Sequence, residues 1–363
     1  MGRCAALFRG VQHATAAPQP GCGWPARKLA RLGSLAVVRS TIGPGRTAAV
    51  RSRLVMLAAG IIAVASVTFV ILRSSSTPAS LPTARASLPS EVASYLGVYA
   101  EGTPGSYQQV TDFGQVTGTH PNLVGYYSGW GEQFATSFAA TARRHGAVPL
   151  LQIDPTYASI PAIVAGRYDG YLRSFADRVR AFRDPVVIGF GHEMNATWYS
   201  WGYRHVPAHT FVAAWRHIVS LFRQQGANNI TWLWTINQDM RGTGPVTSWW
   251  PGARYVTWVG IDGYYYRPSD DFARVFGQTI AQVRVFTTKP VLLSETAVGP
   301  EAGQPGKIPG LFTGMRQYQV LGLVWFDIAQ HQGIYHQDWR IQDDPAAVTA
   351  FRRSAASLTL ARP

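Results

Sequence analysis

Short apolar runs alternate with amphipathic segments from residue 95 onward, and eight such runs are present. Within several of the intervening segments, apolar residues recur at intervals of three and four, as on the buried face of a helix. No glycine-rich phosphate loop follows the first run, which argues against a doubly wound nucleotide-binding sheet. Eight strand–helix units over roughly 270 residues instead predict an α/β fold of the (β/α)₈ TIM-barrel type. The predicted strands are Tyr95–Ala100, Leu123–Tyr127, Val148–Ile153, Val186–Phe190, Ile230–Thr235, Val256–Ile261, Pro290–Leu293 and Gly322–Phe326. The predicted helices are Glu132–His145, Tyr168–Phe182, Pro207–Gln225 and Phe272–Phe286.

A different pattern precedes the barrel. Leu54–Leu72 is an uncharged apolar run of 19 residues, about the length of a transmembrane helix and longer than most cleaved signal cores. Arg51 and Arg53 flank its amino-terminal side, with seven further basic residues before them. The positive-inside rule therefore predicts a single-pass signal-anchor helix with residues 1–53 in the cytoplasm and the barrel outside the cell. Cleavage after the run would give a secreted form.

Composition divides the chain into four parts. We predict a basic disordered tail at 1–53, the anchor helix at 54–72, a Ser/Pro-rich linker at 73–90 and a catalytic domain at 91–363. Eleven basic residues and no acidic residue precede Glu91, so the tail carries most of the net charge of +14. Because the predicted domain is nearly balanced in charge, nucleic-acid binding is not expected.

Candidate chemistry begins where the strand Val186–Phe190 ends. His192, Glu193 and Asn195 follow it at once, and Trp198 and Trp201 come shortly after. A zinc-binding HExxH helix would need a second histidine at position 196, where the chain has alanine. Each tryptophan could be a core residue, but a carboxyl group beside two indoles also suggests a sugar-binding surface.

Polar and aromatic residues follow the other predicted strands in the same way. The carboxyl ends of the strands form the catalytic end of a TIM barrel, so these side chains should meet there. Two of them are glutamates, Glu193 after the fourth strand and Glu295 after the seventh. Two carboxyl groups about 5–5.5 Å apart are the arrangement of a retaining glycosidase. The remaining strand-end residues are Glu101, Tyr127, Trp130, Asp154, Asn237, Gln238, Asp239, Asp262, Tyr264, Trp325 and Asp327.

Several longer stretches, in this order, resemble the β-mannanases of glycoside hydrolase family 26. They are Ala165–Tyr171, His192–Asn195 with Trp198 and Trp201, Trp249–Gly252, Val256–Tyr264, Lys289–Val291 with Ser294 and Glu295, and Asp338–Arg340. The resemblance extends from about residue 97 to residue 340, and the His-Glu-Met-Asn element with its spaced tryptophans is the most specific part.

The resemblance implies a role for each matching residue. Glu193 would be the acid/base and Glu295 the nucleophile, so Glu193 should be protonated and Glu295 ionised when substrate binds. The implied substrate-binding residues are His192, Asn195, Trp198, Trp201, Asn237, Asp262, Tyr264 and Trp325, with Tyr264 on the nucleophile and Trp325 as a sugar platform. The chain departs from the family pattern at Gly189, where arginine is frequent, and around Gln152 and Asp154.

Three functions are compatible with these residues. The first is an endo-acting retaining hydrolase of β-1,4-mannan. The second is a related β-glucanase or xylanase, because the tryptophans suit any pyranose. The third is a non-catalytic polysaccharide-binding module, although such a module would not need both glutamates. The reaction needs no metal and no organic cofactor, and we expect a monomer.

Overall fold

Eight parallel strands close into a barrel in the computed structural model, which describes residues 88–329 and 337–362. The strands are β1 (Tyr95–Ala100), β2 (Leu123–Gly129), β3 (Val148–Asp154), β4 (Val186–Phe190), β5 (Ile230–Asn237), β6 (Trp258–Asp262), β7 (Val291–Thr296) and β8 (Gly322–Asp327). Each strand pairs with its neighbours along the chain, and β8 pairs back with β1 over six residues. The predicted (β/α)₈ barrel is thereby confirmed.

Helices lie on the outside of the barrel, between strands and after β8. They are α1 (Gln108–Thr117), α2 (Thr136–Arg144), α3 (Ile160–Val164), α4 (Asp169–Phe182), α5 (Ala208–Gln224), α6 (Gln278–Phe286), α7 (Gln304–Gln317) and α8 (Pro345–Ala355). A π-helical turn at Ala273–Gly277 leads into α6, and short 3₁₀ helices lie at Val246–Trp249, Ala253–Tyr255 and Pro300–Ala302.

The predicted number of strands, eight, is confirmed, and most of the predicted strands end before the observed ones. β5 and β7 continue to Asn237 and Thr296 because the backbone of the polar residues at their ends still pairs with a neighbouring strand, as Asn237 pairs with Asp262. β6 begins at Trp258 rather than at Val256.

Helix α7 was not predicted, since Gly and Pro make its sequence a poor helix former. It forms because one side of it is buried against the barrel through Ile308, Leu311, Phe312 and Met315. Tertiary packing here outweighs local propensity. The other helices that the pattern failed to predict are α1, α3 and α8.

The core has an inner and an outer layer. Inside the barrel, the rings of Tyr95 and Trp258 meet edge-on with centroids 4.9 Å apart. Outside it, α5 buries Phe211, Trp215 and Phe222 against the strands. Burial of each such side chain contributes about 1.5–3 kcal/mol, so the barrel is held together mainly by large apolar residues.

We call the end of the barrel at the carboxyl ends of the strands the mouth, and the opposite end the base. Residues 88–94 lie at the base, where Ala93 N–H donates to Val320 O at 2.9 Å and Ser94 O accepts from Ala361 N–H at 2.9 Å. The predicted anchor at 54–72 and tail at 1–53 lie outside the described residues. Within residues 88–329 and 337–362, no helix is long and apolar enough to cross a membrane.

Candidate active site

The backbone after β4 turns sharply to present Glu193 at the mouth. Gly191 and Glu193 both have positive φ angles, 54° and 53°. A side chain at position 191 would also approach Phe211 to 2.9 Å, so glycine is needed there. Glu193 holds its left-handed conformation through its backbone, because its N–H donates to Thr235 O at 3.0 Å and its carbonyl accepts from Ala196 N–H. Such strain is concentrated at functional sites.

Both carboxyl oxygens of Glu193 accept hydrogen bonds. Trp198 Nε1 donates to Oε2 at 2.6 Å, and Asn237 Nδ2 donates to Oε1 at 2.6 Å. Asn195 lies behind this contact and fixes Asn237 by bonding both its backbone N–H and its carbonyl, at 2.8 and 2.9 Å. Asn195 therefore positions the site from beneath, and its fully buried side chain does not reach the mouth.

Glu295 reaches the same mouth from β7, with the help of an extra residue in that strand. The register of β7 shifts by one residue against β6 between Gly260 and Asp262, and against β8 between Leu293 and Thr296. Such a bulge redirects side chains that would otherwise alternate between the two faces.

Two tyrosine hydroxyls hold the carboxyl group of Glu295. Tyr127 Oη donates to Oε1 at 2.5 Å, and Tyr264 Oη donates to Oε2 at 2.8 Å. Burial and the nearby Glu295 raise the pKa of each tyrosine well above its ordinary value, so both remain neutral donors. Burial also raises the pKa of Glu295 to about 7 and Glu193 adds to the rise, while His192 and the two tyrosines lower it.

His192 is a buried cation between the strand ends. Its Nδ1 lies 2.8 Å from Asp154 Oδ1, and its Nε2 lies 3.0 Å from Tyr199 Oη. Burial alone lowers the pKa of His192, but Asp154, together with Glu295 and Glu193, raises the pKa to about 10. The doubly protonated ring then donates to both partners and places a positive charge beside the two carboxyl groups.

A polar layer lies below the mouth inside the barrel. Asp262 is fully buried and accepts from Ser294 Oγ at 2.6 Å. Burial, together with Glu295 and Glu193, raises the pKa of Asp262 well above its usual range. Asp262 is thus a buried support for Glu295 and has no surface at the mouth.

Gly189 leaves room for a second part of this polar layer. A Cβ at position 189 would lie 1.8 Å from Gln152 Oε1, and Gln152 Nε2 donates to Thr235 Oγ1 at 2.9 Å. The chain therefore places Gln152 where a larger residue at position 189 would project. Gly189 and Gln152 are therefore sterically coupled in this barrel.

Two predicted sugar-binding tryptophans are not brought to the mouth. Trp325 is fully buried, its ring packs edge-on against Phe351 of α8, and its Nε1 donates to Trp339 O at 3.2 Å. Trp201 is also buried, because the ring of Tyr199 covers one face at 4.3 Å. Both belong to the supporting structure, and Trp198 is the partly exposed indole beside Glu193.

Sequence reasoning gave no role to three residues that contact the site, Tyr127, Asp154 and Tyr199. The first two were noted as strand-end residues, and Tyr199 lies between the two tryptophans. Nothing in their spacing reveals which side chain they reach. Among residues 88–329 and 337–362, no group of three or more His, Cys, Asp or Glu side chains is arranged to hold a metal ion.

Comparison with known sequences decides the family. The sequence profile described as glycosyl hydrolase family 26 matches residues 152–354, more than half of the chain and the part that carries both glutamates. The chain belongs to glycosyl hydrolase family 26. The family resemblance predicted from its motifs is confirmed.

Relatives of this family 26 chain include Endoglucanase H of Acetivibrio thermocellus, 28% identical over 272 residues, which cover 70% of this chain and 29% of the relative. Another is Beta-1,3-xylanase TXYA of a Vibrio species, 26% identical over 202 residues, covering 52% and 42%. The family 26 chain thus spans less than half the length of these curated relatives.

The fold is shared with solved family 26 structures. A GH26 beta-mannanase from Bacteroides ovatus superposes with a TM-score of 0.53 at 16% identity, over 75% of this chain and 90% of the mannanase. At that identity the likeness concerns the fold alone.

Proposed function

We propose that the chain is a retaining, endo-acting glycoside hydrolase that cleaves β-1,4-linked mannan-type polysaccharide. The observation that carries the proposal is the pair of buried glutamates, Glu193 and Glu295, at the mouth ends of β4 and β7. Each carboxyl group accepts two side-chain hydrogen bonds, and at least one donor of each pair comes from another strand or loop. A polysaccharide-binding module would have no need of two carboxyl groups fixed in this way.

Glu295 is the nucleophile in this proposal. Both of its oxygens accept from tyrosines that stay neutral, and the cationic His192 is close enough to lower its pKa. These groups favour the carboxylate, while burial opposes it. The carboxylate attacks the anomeric carbon and forms a covalent glycosyl–enzyme ester as the glycosidic bond breaks.

Glu193 is the general acid and base. It donates a proton to the glycosidic oxygen as the leaving sugar departs, and then takes a proton from the water that hydrolyses the ester. Two displacements at one carbon retain the anomeric configuration. The mechanism starts with the proton on Glu193 and with Glu295 as the carboxylate. Trp198 and Asn237 hold Glu193 in place through both steps.

Chemical rescue tests the two roles separately. With an activated aryl glycoside, Glu193→Ala should form the glycosyl–enzyme quickly, stall, and resume turnover when azide is added. Glu295→Ala should show no burst and no trapped intermediate. General-acid catalysis alone is worth about 10²–10⁴-fold, so both losses on polysaccharide should be large. Glu91→Ala, an exposed glutamate at the base, is the matched control. Wild-type turnover by Glu295→Ala would refute the assignment.

Mannan is the first substrate to test because the motifs resemble those of β-mannanases. The Endoglucanase H relative favours β-glucan as the second candidate, and the xylanase relative adds xylan. Comparing kcat/KM on mannan, glucomannan, mixed-linkage β-glucan and xylan separates them. If the enzyme prefers β-glucan or xylan to mannan, the proposed substrate changes and the proposed mechanism stays the same.

We also propose that residues 54–72 anchor the enzyme in the membrane with the barrel outside the cell. The basis is the uncharged run of 19 residues and the basic residues that precede it. Protease added to intact cells should digest the barrel and spare the tail. Protection of the barrel, with digestion of the tail, would reverse the orientation.

A further inference from the structure

The base of the barrel carries a ring of exposed arginines. Six of the helices α1–α8 place a basic residue at or just beyond the carboxyl-terminal turn, and helices in this fold run opposite to the strands, so these residues lie at the base. We call one exposed arginine from each helix, taken together, the basic rim. It consists of Arg144 of α2, Arg183 of α4, Arg223 of α5, Arg284 of α6, Arg316 of α7 and Arg353 of α8.

Few acidic groups at the base offset this ring. Asp184 pairs with Arg143 and Asp177 pairs with Arg180, each at 3.1 Å, so these two acids are engaged by arginines outside the basic rim. Glu91, a further acid near this end, is exposed. The base is therefore strongly cationic.

The mouth carries charges of both signs. Its exposed acids, Glu101, Asp239, Asp271, Glu301 and Asp343, together with the buried catalytic pair, offset exposed arginines such as Arg204, Arg241 and Arg267. A nearly balanced barrel thus has a charge asymmetry along its axis, with positive charge at the base.

Compensation of helix dipoles does not account for this asymmetry. A basic residue near a helix carboxyl terminus does gain from the dipole. The same logic would place acids at the amino-terminal ends, yet the first turns of α1, α2, α3, α5, α6, α7 and α8 contain none, and of these helices only α8 has an acidic N-cap, Asp344. The acids at the mouth lie mainly in loops. An external anionic partner is a better explanation for a ring of exposed positive charge.

The path of the chain between the apolar run and the barrel indicates which anionic partner the basic rim contacts. Residues 88–94 meet the barrel at the base, and 15 residues separate Leu88 from the apolar run Leu54–Leu72. Fifteen residues treated as a flexible chain would have a root-mean-square span of roughly 20 Å. Anchored in this way, the barrel would be confined within about two Debye lengths of the bilayer, where its orientation depends on charge.

We propose that the basic rim docks the base of the barrel onto the anionic headgroups of a phospholipid bilayer. Docking turns the mouth away from the membrane, toward polysaccharide outside the cell. The choice of a bilayer over another polyanion rests on the proposed anchoring of residues 54–72, whereas the charge asymmetry stands without it.

Collisional quenching tests the proposal on the full chain. Cys4 and Cys22, the two native cysteines, are changed to serine, and a fluorophore is attached at an exposed position, through Thr288→Cys at the base or Ser269→Cys at the mouth. The protein is combined with lipid nanodiscs that carry spin labels on the headgroups. Neutral discs contain phosphatidylcholine alone, and anionic discs also contain phosphatidylglycerol. The label at 288 should be quenched only in anionic discs, and high salt should abolish the effect. The label at 269 should not respond.

A charge-matched pair of variants isolates the basic rim. Arg144→Gln/Arg183→Gln/Arg223→Gln should lower the ratio of quenched to unquenched label at 288 by roughly a hundredfold, about fivefold for each arginine. The control Arg204→Gln/Arg241→Gln/Arg267→Gln removes the same charge at the mouth and should leave that ratio unchanged. Thermal melting of both variants checks that the fold is intact.

The outcomes separate docking from anchoring. Retention of the protein on discs at high salt reports the anchor, and salt-sensitive quenching at 288 reports the rim. Loss from the discs at high salt with intact low-salt quenching would refute the anchor and support docking. Equal quenching in neutral and anionic discs, equal losses in the two triple variants, or binding to a soluble anionic wall polymer with no response to anionic discs would overturn the proposal.

Discussion

The hydrogen bond from Tyr127 to Glu295 should determine the pH at which the enzyme becomes active. Tyr127→Phe removes a buried donor 2.5 Å from Oε1 and leaves Tyr264 on Oε2. Since the Tyr127 bond lowers the pKa of Glu295 from the value that burial alone would give, its loss should raise that pKa above about 7.

The size of the shift follows from the strength of a buried, charge-assisted bond. Such bonds contribute about 1.5–3 kcal/mol, which corresponds to roughly one to two pH units. The lower end applies because one tyrosine donor remains. Only ionised Glu295 can attack the sugar, so the acid limb of kcat/KM should move to higher pH by about one unit. At a pH well below the limb, kcat/KM should fall about tenfold.

The assay is the pH dependence of kcat/KM with a soluble aryl glycoside, for wild type, Tyr127→Phe and Tyr126→Phe. Tyr126 is the neighbouring residue on β2, and its buried ring packs edge-on against Phe138 at 5.3 Å. The Tyr126→Phe control therefore also removes a tyrosine hydroxyl from β2, but one that lies away from Glu295. An unmoved acid limb in Tyr127→Phe, or the same shift in Tyr126→Phe, would refute the reasoning.

Three further predictions concern other parts of the barrel. Asp154→Asn removes the anion that raises the pKa of His192 to about 10, so the imidazole should titrate at lower pH by NMR; an unchanged titration would contradict this electrostatic account. Gly189→Ala should destabilise the fold by about 1–3 kcal/mol in urea titration, because its Cβ meets Gln152 at 1.8 Å, and adding Gln152→Ala should recover part of the loss. Burial raises the pKa of Asp327 to about 6. The folded state therefore retains this proton more strongly than the unfolded chain, and wild-type stability should decline as pH rises from about 4 through 6. Asp327→Asn should remove that part of the decline in thermal melts, and identical slopes would exclude Asp327 as its source.

The sequence alone determined the eightfold repeat of strands and the polar residues that lie at or after the strand ends. Apolar residues recur at different intervals in buried strands and in amphipathic helices, so the eight apolar runs could be predicted as strands without a structure. A parallel barrel brings all strand ends to one mouth, and this is why Glu193 and Glu295 could be paired across about one hundred intervening residues. The family motifs led to the same two residues.

Only the tertiary structure decided which side chains support them. Trp325 and Trp198 are both tryptophans that follow or end a strand, yet one packs against α8 and the other donates to Glu193. Side-chain direction at strand ends depends on bulges and on local backbone conformation, as at Glu295 and Glu193. Tyr127 reaches Glu295 across the barrel, a contact between residues 168 apart in sequence. Local periodicity carries no information about such contacts, because they depend on how the whole barrel closes.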